Sequence, residues 1–291
     1  MTATSSAFRI SGCLTTFIIL LWSSVLSAQS SKSDTLFFDD FSGTSLDRKT
    51  WNVIVTGWTV NNEQQAYVDS NATIYISKTE PGAKNGALVL QAKYQPGFTT
   101  KEKKKFDFIS GRIDSRSKME FTYGTVSARM ILPAGTGYWP AFWALGTGDW
   151  PETGEIDIME NVGEADWTSV ALHGPGYSGE TPLVNKYFFD PGIDITQWHI
   201  YSVDWSKSEF LFRVDGKLIY RVTREMVENY GKWSYDNPKF LILNLALGGA
   251  YPYKTNLVKN PYNGIPESTV NSIKEGKGKV IVDWVSVVKT K

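Results

Sequence analysis

Three carboxylates lie within six residues of one another, at Glu155, Asp157 and Glu160. The residues between them are apolar, which is typical of a β-strand rather than of a solvated run of charges. Side chains alternate faces along a strand, so Glu155 and Asp157 point the same way. Glu160 would face the other way unless one extra residue, a β-bulge near Ile158 and Met159, restores its direction. The sequence therefore predicts a bulged strand with three carboxylates on one face.

Two glutamates on one face of a strand suit the cleavage of a glycosidic bond. With the bulge, their Cα atoms lie roughly 13 Å apart at about 3.3 Å per residue, and their side chains can close to the ~5–5.5 Å of a retaining glycosidase. The spacing also admits the wider inverting geometry, and an acidic stripe or a cation site fits the pattern equally well. In the glycosidase interpretation, Glu155 is the nucleophile and Glu160 is the general acid and then the base. Asp157 hydrogen-bonds Glu155 and, by like-charge repulsion, helps to keep a proton on Glu160.

Aromatic and polar residues around this stretch are candidates for binding a sugar. Trp139 and Trp143 precede the acidic strand with even spacing, so both face one side of an extended chain. We expect them to form a sugar platform, with burial in the core as the competing explanation. Trp58, Asn62 and His173 lie in Gly- and Asn-rich contexts, which favours a place in the walls of a binding site.

The overall composition excludes several kinds of partner. The 291 residues carry 30 basic and 30 acidic side chains, a balance that favours neither nucleic acid nor an anionic membrane. Aromatic residues make up 14% of the chain and include 11 Trp, which suits a carbohydrate partner. The two histidines, His173 and His199, are too few for a His-rich zinc site.

Residues 1–28 have the pattern of a secretory signal peptide. Arg9 precedes an apolar run over residues 14–26, and small residues follow it. The run is shorter than the ~20 residues of a membrane span, so we expect no membrane partner after cleavage. The predicted location is secreted or periplasmic. Cys13 is the only cysteine and leaves with this segment, so the exported domain has no disulfide.

The rest of the chain is dominated by short β-type runs. From Leu36 onward, runs of β-branched and aromatic residues alternate with Gly, Asn, Asp and Pro. Asp215 and Gly216 between two such runs are the two-residue signature of a tight hairpin. Many strands at regular spacing predict an all-β fold, either a β-sandwich or a barrel.

Three stretches depart from the strand pattern. Residues 223–230 are the only ones with a helical pattern, and residues 99–106 form a basic run that we expect to be a solvated loop. Residues 251–278 are polar and rich in Pro, Gly and Asn, which indicates a long loop beside the binding site. No linker or repeat divides the chain, so we expect one domain over residues 30–291.

The acidic stretch also carries a family resemblance. The segment from Gly154 to Glu160 resembles the active-site motif of glycoside hydrolase family 16, in the bulged form typical of laminarinases, the endo-β-1,3-glucanases. In lichenases and xyloglucan transglycosylases, the corresponding motif is one residue shorter. Other segments similar to bacterial laminarinases lie at residues 110–116, 118–124, 139–143, 173–179, 240–249 and 282–285, and the likeness extends over nearly the whole mature chain.

The resemblance implies a concanavalin A-like jelly-roll β-sandwich with a substrate cleft across its concave face. It implies Glu155 as nucleophile, Glu160 as acid/base and Asp157 as the assisting carboxylate. The residues that it places around the cleaved bond are Trp139, Trp143 and His173, and those that it makes outer contacts are Trp58, Asn62 and Arg116.

The resemblance also implies a structural calcium ion, with no cofactor for catalysis. The matching ligands are the carboxylate of Asp40, the carbonyl of Gly86 and the carboxylate of Asp283, a set of oxygens that suits Ca²⁺. Surface charges at strand ends are the competing explanation for the two aspartates.

Three functions remain open at this point. The first is an endo-β-1,3-glucanase that also cuts mixed-linkage β-1,3-1,4-glucan. The second is hydrolysis of an algal galactan such as agarose or porphyran, although the near-neutral charge argues against sulfated substrates. The third is a non-catalytic β-glucan-binding protein on the same scaffold, but such relatives typically lack one of the two glutamates that are both present here.

Overall fold

The computed structural model describes residues 1–2 and 34–289. The signal peptide predicted over residues 1–28 therefore lies, apart from its first two residues, outside the described part of the chain. Within that part, no helix is both long enough and apolar enough to cross a bilayer.

The described residues contain 19 strands and three helices. In chain order they are β1 (Thr35–Asp39), β2 (Asn52–Val53), β3 (Gln65–Tyr67), β4 (Ile74–Ser77), β5 (Ala87–Gln91), β6 (Lys93–Thr99), β7 (Lys105–Ser110), β8 (Arg112–Asp114), β9 (Glu120–Phe121), β10 (Gly124–Ile131), β11 (Tyr138–Gly146), β12 (Glu155–Glu160), β13 (Trp167–His173), β14 (Val184–Phe188), β15 (His199–Trp205), β16 (Glu209–Val214), β17 (Lys217–Thr223), α1 (Arg224–Glu228), β18 (Lys239–Leu247), α2 (Ala250–Asn256), α3 (Glu267–Lys274) and β19 (Lys279–Val288).

Two large antiparallel sheets account for most of these strands, so the predicted all-β class is confirmed. The first sheet runs β17-β16-β15-β10-β19-β5-β4, and β1 also pairs with β19. The second sheet runs β14-β13-β12-β11-β18-β8-β2, and β9 also pairs with β18. The strands β3-β7-β6 form a separate small sheet, with β3 and β7 parallel.

The central strand β18 shows how the second sheet divides its faces. Leu241, Leu243 and Leu245 join the hydrophobic core together with the valines of β19. Phe240 and Asn244 alternate with them and therefore point away from the core. Burial of the leucine row holds the second sheet to the first, while the alternate residues form the outward face on which the site is built.

The hairpin and the first helix form where the sequence predicted them. Asp215 and Gly216 both have positive φ angles, 51° and 81°, as a tight two-residue turn between β16 and β17 requires. Helix α1 begins after Thr223, whose hydroxyl accepts a hydrogen bond from the backbone N–H of Met226 at 3.3 Å.

The prediction of a long loop over residues 251–278 was wrong in part, because α2 and α3 lie within or across it. Thr269, Val270 and Ile273 give α3 a narrow buried face, which its polar composition conceals. The hydroxyl of Thr269 donates to the backbone carbonyl of Thr136 at 2.7 Å. Packing against the sandwich therefore stabilises a helix that its own sequence indicates only weakly.

Candidate active site

The predicted β-bulge is present in β12. Asp157 lies opposite Trp143 of β11. The next pair joins Met159 to Phe142, so Ile158 is the extra residue of the bulge. The pairing of β12 with β13 shifts over the same interval.

The bulge brings three carboxylates to the outward face of the second sheet. Ile156, Ile158 and Met159 are all buried in the core. Glu155 and Glu160 are partly exposed on the opposite side. Two consecutive core-facing residues in the middle of the strand are what allow Glu160 to share a face with Glu155 despite their odd spacing.

Glu160 is held by the neighbouring strand β11. The indole N–H of Trp139 donates to Oε1 of Glu160 at 2.9 Å. The ring of Trp139 contacts Tyr251 in an edge arrangement, with the centroids 5.6 Å apart. This contact fixes the indole, so its N–H stays directed at the carboxylate.

Glu155 is held by Trp150, on the turn between β11 and β12. The indole N–H of Trp150 donates to Oε2 of Glu155 at 2.7 Å. The Trp150 ring centroid lies 6.5 Å from that of His173, and His173 is the β13 partner of Glu155. Trp150 was not among the residues that sequence reasoning selected. The only sequence signal for Trp150 is its position five residues before Glu155.

His173 lies beside the two carboxylates at the start of the strand. A carboxylate oxygen of Glu155, one of Asp157 and a ring nitrogen of His173 all lie within 4.8 Å of one another. Nε2 of His173 is 3.2 Å from Oδ2 of Asp157, in ion-pair range but without the alignment of a hydrogen bond. The hydroxyl of Tyr235 donates to the backbone carbonyl of His173 at 3.0 Å. Glu155, Asp157 and His173 are therefore close enough to influence one another's charge.

Burial raises the pKa of each of the three carboxylates. The pKa of Glu155 lies well above its usual value because of burial and then the charge of Asp157. His173 and the hydrogen bond from Trp150 act in the opposite direction on it. Burial, followed by the charge of Glu160, raises the pKa of Asp157 well above its usual value, and burial also raises the pKa of Glu160. Burial and the like charges of their neighbours therefore both disfavour the ionised forms, and the three carboxyl groups compete for protons.

This arrangement of carboxylates coincides with a family match. The sequence profile of the family described as glycosyl hydrolases family 16 matches residues 47–285. The chain belongs to this family. Its two large antiparallel sheets form the jelly-roll sandwich that the resemblance implied. Membership of the family makes the chain a glycoside hydrolase.

Three relatives illustrate the range of similarity. The chain is 31% identical over 239 residues to the glucan endo-1,3-β-glucosidase A1 of Niallia circulans, covering 73% of this chain and 33% of that protein. It is 31% identical over 223 residues to the β-glucanase of Rhodothermus marinus, covering 73% and 74%. The solved laminarinase catalytic domain of Thermotoga maritima MSB8 matches with a TM-score of 0.75 and 30% identity, covering 90% and 100%. The chain thus spans about a third of the Niallia relative and a whole solved catalytic domain.

The outward face of this family 16 chain continues across β18 and β8. The indole N–H of Trp143 donates to Oδ1 of Asn244 at 2.7 Å. The guanidinium of Arg112 lies 5.1 Å from the Trp143 ring centroid. The guanidinium of Arg116 lies 5.0 Å from the ring centroid of Phe240. Trp143 and Arg116 are therefore both on the face that carries the carboxylates, whereas sequence reasoning did not assign roles to Arg112 and Asn244.

Trp58 and Asn62 lie on the segment between β2 and β3, outside the strands that carry the carboxylates. Trp58 is 68% exposed, and the ammonium of Lys104 lies 3.8 Å from its ring centroid. The basic run at residues 99–106 is therefore not purely solvated, because one of its lysines packs on this indole. Asn62 is exposed, and its backbone carbonyl accepts a hydrogen bond from the side chain of Gln64.

One of the three residues assigned to calcium, Asp283, is already paired with a cation of the protein. Asp283 is 1% exposed, and its Oδ1 accepts the backbone N–H of Lys84 at 2.9 Å. Its Oδ2 accepts the guanidinium of Arg129 at 2.7 Å. Arg129 therefore balances the charge of this buried carboxylate.

A second side-chain cation lies beside Gly86. Nζ of Lys78 donates to the backbone carbonyls of Ser42 at 2.6 Å and Asn85 at 3.0 Å. It also lies 3.0 Å from where a Cβ on Gly86 would be. Asp40 accepts the side-chain amide of Asn85 at 2.7 Å. Calcium needs about six to eight oxygen ligands, and of the three assigned to it the carboxylate of Asp283 already accepts the guanidinium of Arg129.

Proposed function

We propose that this chain is a secreted, endo-acting β-1,3-glucanase of the laminarinase type that retains the anomeric configuration. One observation carries the proposal: the bulge in β12 places Glu155 and Glu160 on one outward face. Each glutamate is held by a tryptophan N–H, Glu155 by Trp150 and Glu160 by Trp139. Double displacement requires a pair of fixed carboxyl groups that flank the scissile bond.

In the first step, a carboxylate oxygen of Glu155 forms a bond to the anomeric carbon of the sugar. The bond from that carbon to the glycosidic oxygen breaks, and its electron pair stays on the leaving oxygen. Glu160 donates a proton to that oxygen, so the leaving chain departs as an alcohol.

In the second step, water attacks the anomeric carbon of the glycosyl-enzyme. Glu160, now a carboxylate, accepts a proton from the water, and the electron pair of the ester bond returns to Glu155. The two inversions at one carbon restore the original β configuration. Glu160 therefore has to hold a proton in one step and release it in the other, which its raised pKa favours.

Asp157 sets the proton balance between the two glutamates. It is 2% exposed and lies close to Glu155, where two adjacent carboxylate charges are unfavourable. The two neighbouring carboxyl groups compete for a proton, and its transfer from Glu155 to Asp157 leaves Glu155 free to attack as the anion. The hydrogen bond from Trp150 stabilises the same anion.

The substrate lies across the outward face of the second sheet. Trp143 and Trp139 offer indole surfaces beside the carboxylates, and His173 lies on the same face one strand away. Arg116, with Trp58 and Asn62 further out, contacts more distant glucose units. We include mixed-linkage β-1,3-1,4-glucan among the substrates, and we assign the activity to a mature domain at residues 30–291 that is exported by the segment at 1–28.

Reducing-end release from laminarin, lichenan and agarose tests this proposal. Laminarin should be the best substrate, lichenan a weaker one, and agarose should remain intact. Glu155→Gln and Glu160→Gln preserve side-chain size and should each nearly abolish turnover while laminarin affinity persists. Preferential cleavage of agarose would replace the β-glucanase assignment with the galactan alternative. Laminarin binding without cleavage by the wild-type chain would indicate a binding protein instead.

A further inference from the structure

A lysine side chain lies inside the sandwich close to the catalytic strand. Lys239 is the first residue of β18 and is 0% exposed. It precedes Leu241 by two positions and so points to the core side of the sheet. Lysine is almost never fully buried unless partners satisfy its charge, so this position calls for an explanation.

Three oxygen atoms surround the ammonium of Lys239. Its Nζ donates to the backbone carbonyl of Thr153 at 2.6 Å and to that of Ser234 at 3.2 Å. It also donates to the side-chain oxygen of Asn237. The amide group of Asn237 donates in turn to the carbonyl of Thr153 at 3.2 Å. The ammonium therefore joins the segment before β12 to the segment before β18.

These acceptors border the entry of the chain into the catalytic strand. Thr153 precedes Glu155 by two residues and ends the turn that carries Trp150. Gly154 follows with φ of 72°, and a Cβ there would come within 2.5 Å of the Ser234 carbonyl. The backbone at this point has little freedom to shift once the carbonyls on both sides are held.

We propose that Lys239 is a positioning residue for the nucleophile. By holding the carbonyl of Thr153, it fixes the direction in which the chain enters β12. It thereby fixes the carboxylate of Glu155 against the N–H of Trp150. This inference rests on the proposed function, because it concerns how the attacking carboxylate is aimed.

The pKa of Lys239 indicates that its charged form is disfavoured at the place where the protein holds it. Burial lowers the pKa of Lys239 to about 7, and the charge of Asp236 opposes that shift. The rings of Trp205 and Tyr235 lie 5.6 Å and 5.5 Å from the ammonium. Their faces and the three oxygen atoms replace only part of the lost hydration.

The test isolates the step that Glu155 performs. A dinitrophenyl β-1,3-glucoside with fluorine at the 2-position has a leaving group that needs no acid, so the burst of dinitrophenolate reports the attack by Glu155. Lys239→Met keeps the length of the side chain but removes its donors. We expect it to slow the burst at saturating probe on the order of ten- to a hundredfold, because small misplacements of reacting groups have effects of this size. Affinity for laminari-oligosaccharides should change little.

Two further variants separate positioning from stability. Asn237→Ala removes one acceptor and leaves the lysine, and it should slow the burst less, in the same direction. Val280→Ala trims a fully buried side chain in the first sheet, and it should lower the melting temperature while the burst rate stays at the wild-type value. Wild-type burst rates in both Lys239→Met and Asn237→Ala would overturn the inference. Absence of a burst in the wild-type chain would overturn the proposed function instead.

Discussion

Trp150 donates its indole N–H to the carboxylate of Glu155 across 2.7 Å, from a turn that ends one residue before the catalytic strand begins. The indole is largely open to solvent, with Trp150 53% exposed. The hydrogen bond stabilises the ionised form of Glu155 against burial and against the charge of Asp157.

Trp150→Phe keeps the aromatic ring but removes this N–H. A hydrogen bond to a charged group contributes about 1.5–3 kcal/mol, so we expect kcat to fall roughly ten- to a hundredfold. The acidic limb of the kcat/KM profile should move to higher pH, because the hydrogen bond lowers the pKa of Glu155. Trp284→Phe alters a partly exposed tryptophan in the first sheet and serves as the control, with kcat close to wild type. An unchanged acidic limb in Trp150→Phe would contradict this role.

Asp157→Asn should make the protein more stable and less active. The folded state raises the pKa of Asp157 well above its usual value, while the unfolded chain titrates near about 3.9. Below the usual value both states hold the proton, so the substitution changes stability little there. As the pH rises towards the folded value, the wild type loses stability that the variant keeps.

Melting curves at pH 4 and pH 7 check this sign for Asp157→Asn. The gain in melting temperature of the variant should be larger at pH 7 than at pH 4, while kcat on laminarin falls at both. A gain that is larger at the acidic end would mean that Asp157 is ionised in the folded protein at low pH.

The bulge makes a further prediction about chain length. Deleting Met159 leaves Ile158 to fill the core position and places the second glutamate four residues after Glu155, on the same face of a regular strand. We expect this variant to fold and to retain measurable laminarin cleavage. Deleting both Ile158 and Met159 turns that glutamate to the opposite face and should abolish cleavage. Equal activity in the two variants would show that the shared face is not what matters.

The pairing of Asp283 with Arg129 predicts that the melting temperature does not respond to chelators. EDTA should leave the melting temperature unchanged, since Arg129 already neutralises the buried Asp283. Arg129→Gln leaves Asp283 buried without its partner and should destabilise the fold on the order of 3 kcal/mol. A melting temperature that falls with EDTA and recovers with added calcium would contradict this account.

Some parts of the fold and of the site could be predicted from the sequence, and others could not. Alternation of side chains gave the shared face of Trp139 and Trp143, and the odd spacing of Glu155 and Glu160 gave the bulge, because both follow from strand geometry alone. The hairpin at Asp215 followed from turn chemistry in the same way.

Other features depend on contacts between distant parts of the chain. Trp150 reaches Glu155 through the shape of a turn that has no strand or helix pattern. Helix α3 forms on a face of the sandwich that its own composition does not indicate. Arg129 is 154 residues from Asp283 in the sequence, so no local pattern shows that the two are paired.

Locating the covalent intermediate tests most directly whether Glu155 is the nucleophile. The wild-type chain is incubated with a 2-fluoro dinitrophenyl β-1,3-glucoside, digested with protease and analysed by mass spectrometry. We expect a single fluoroglycosyl adduct on Glu155, which is absent from Glu155→Gln and still forms in Glu160→Gln. An adduct on Asp157 or Glu160, or an active enzyme that forms none, would contradict it.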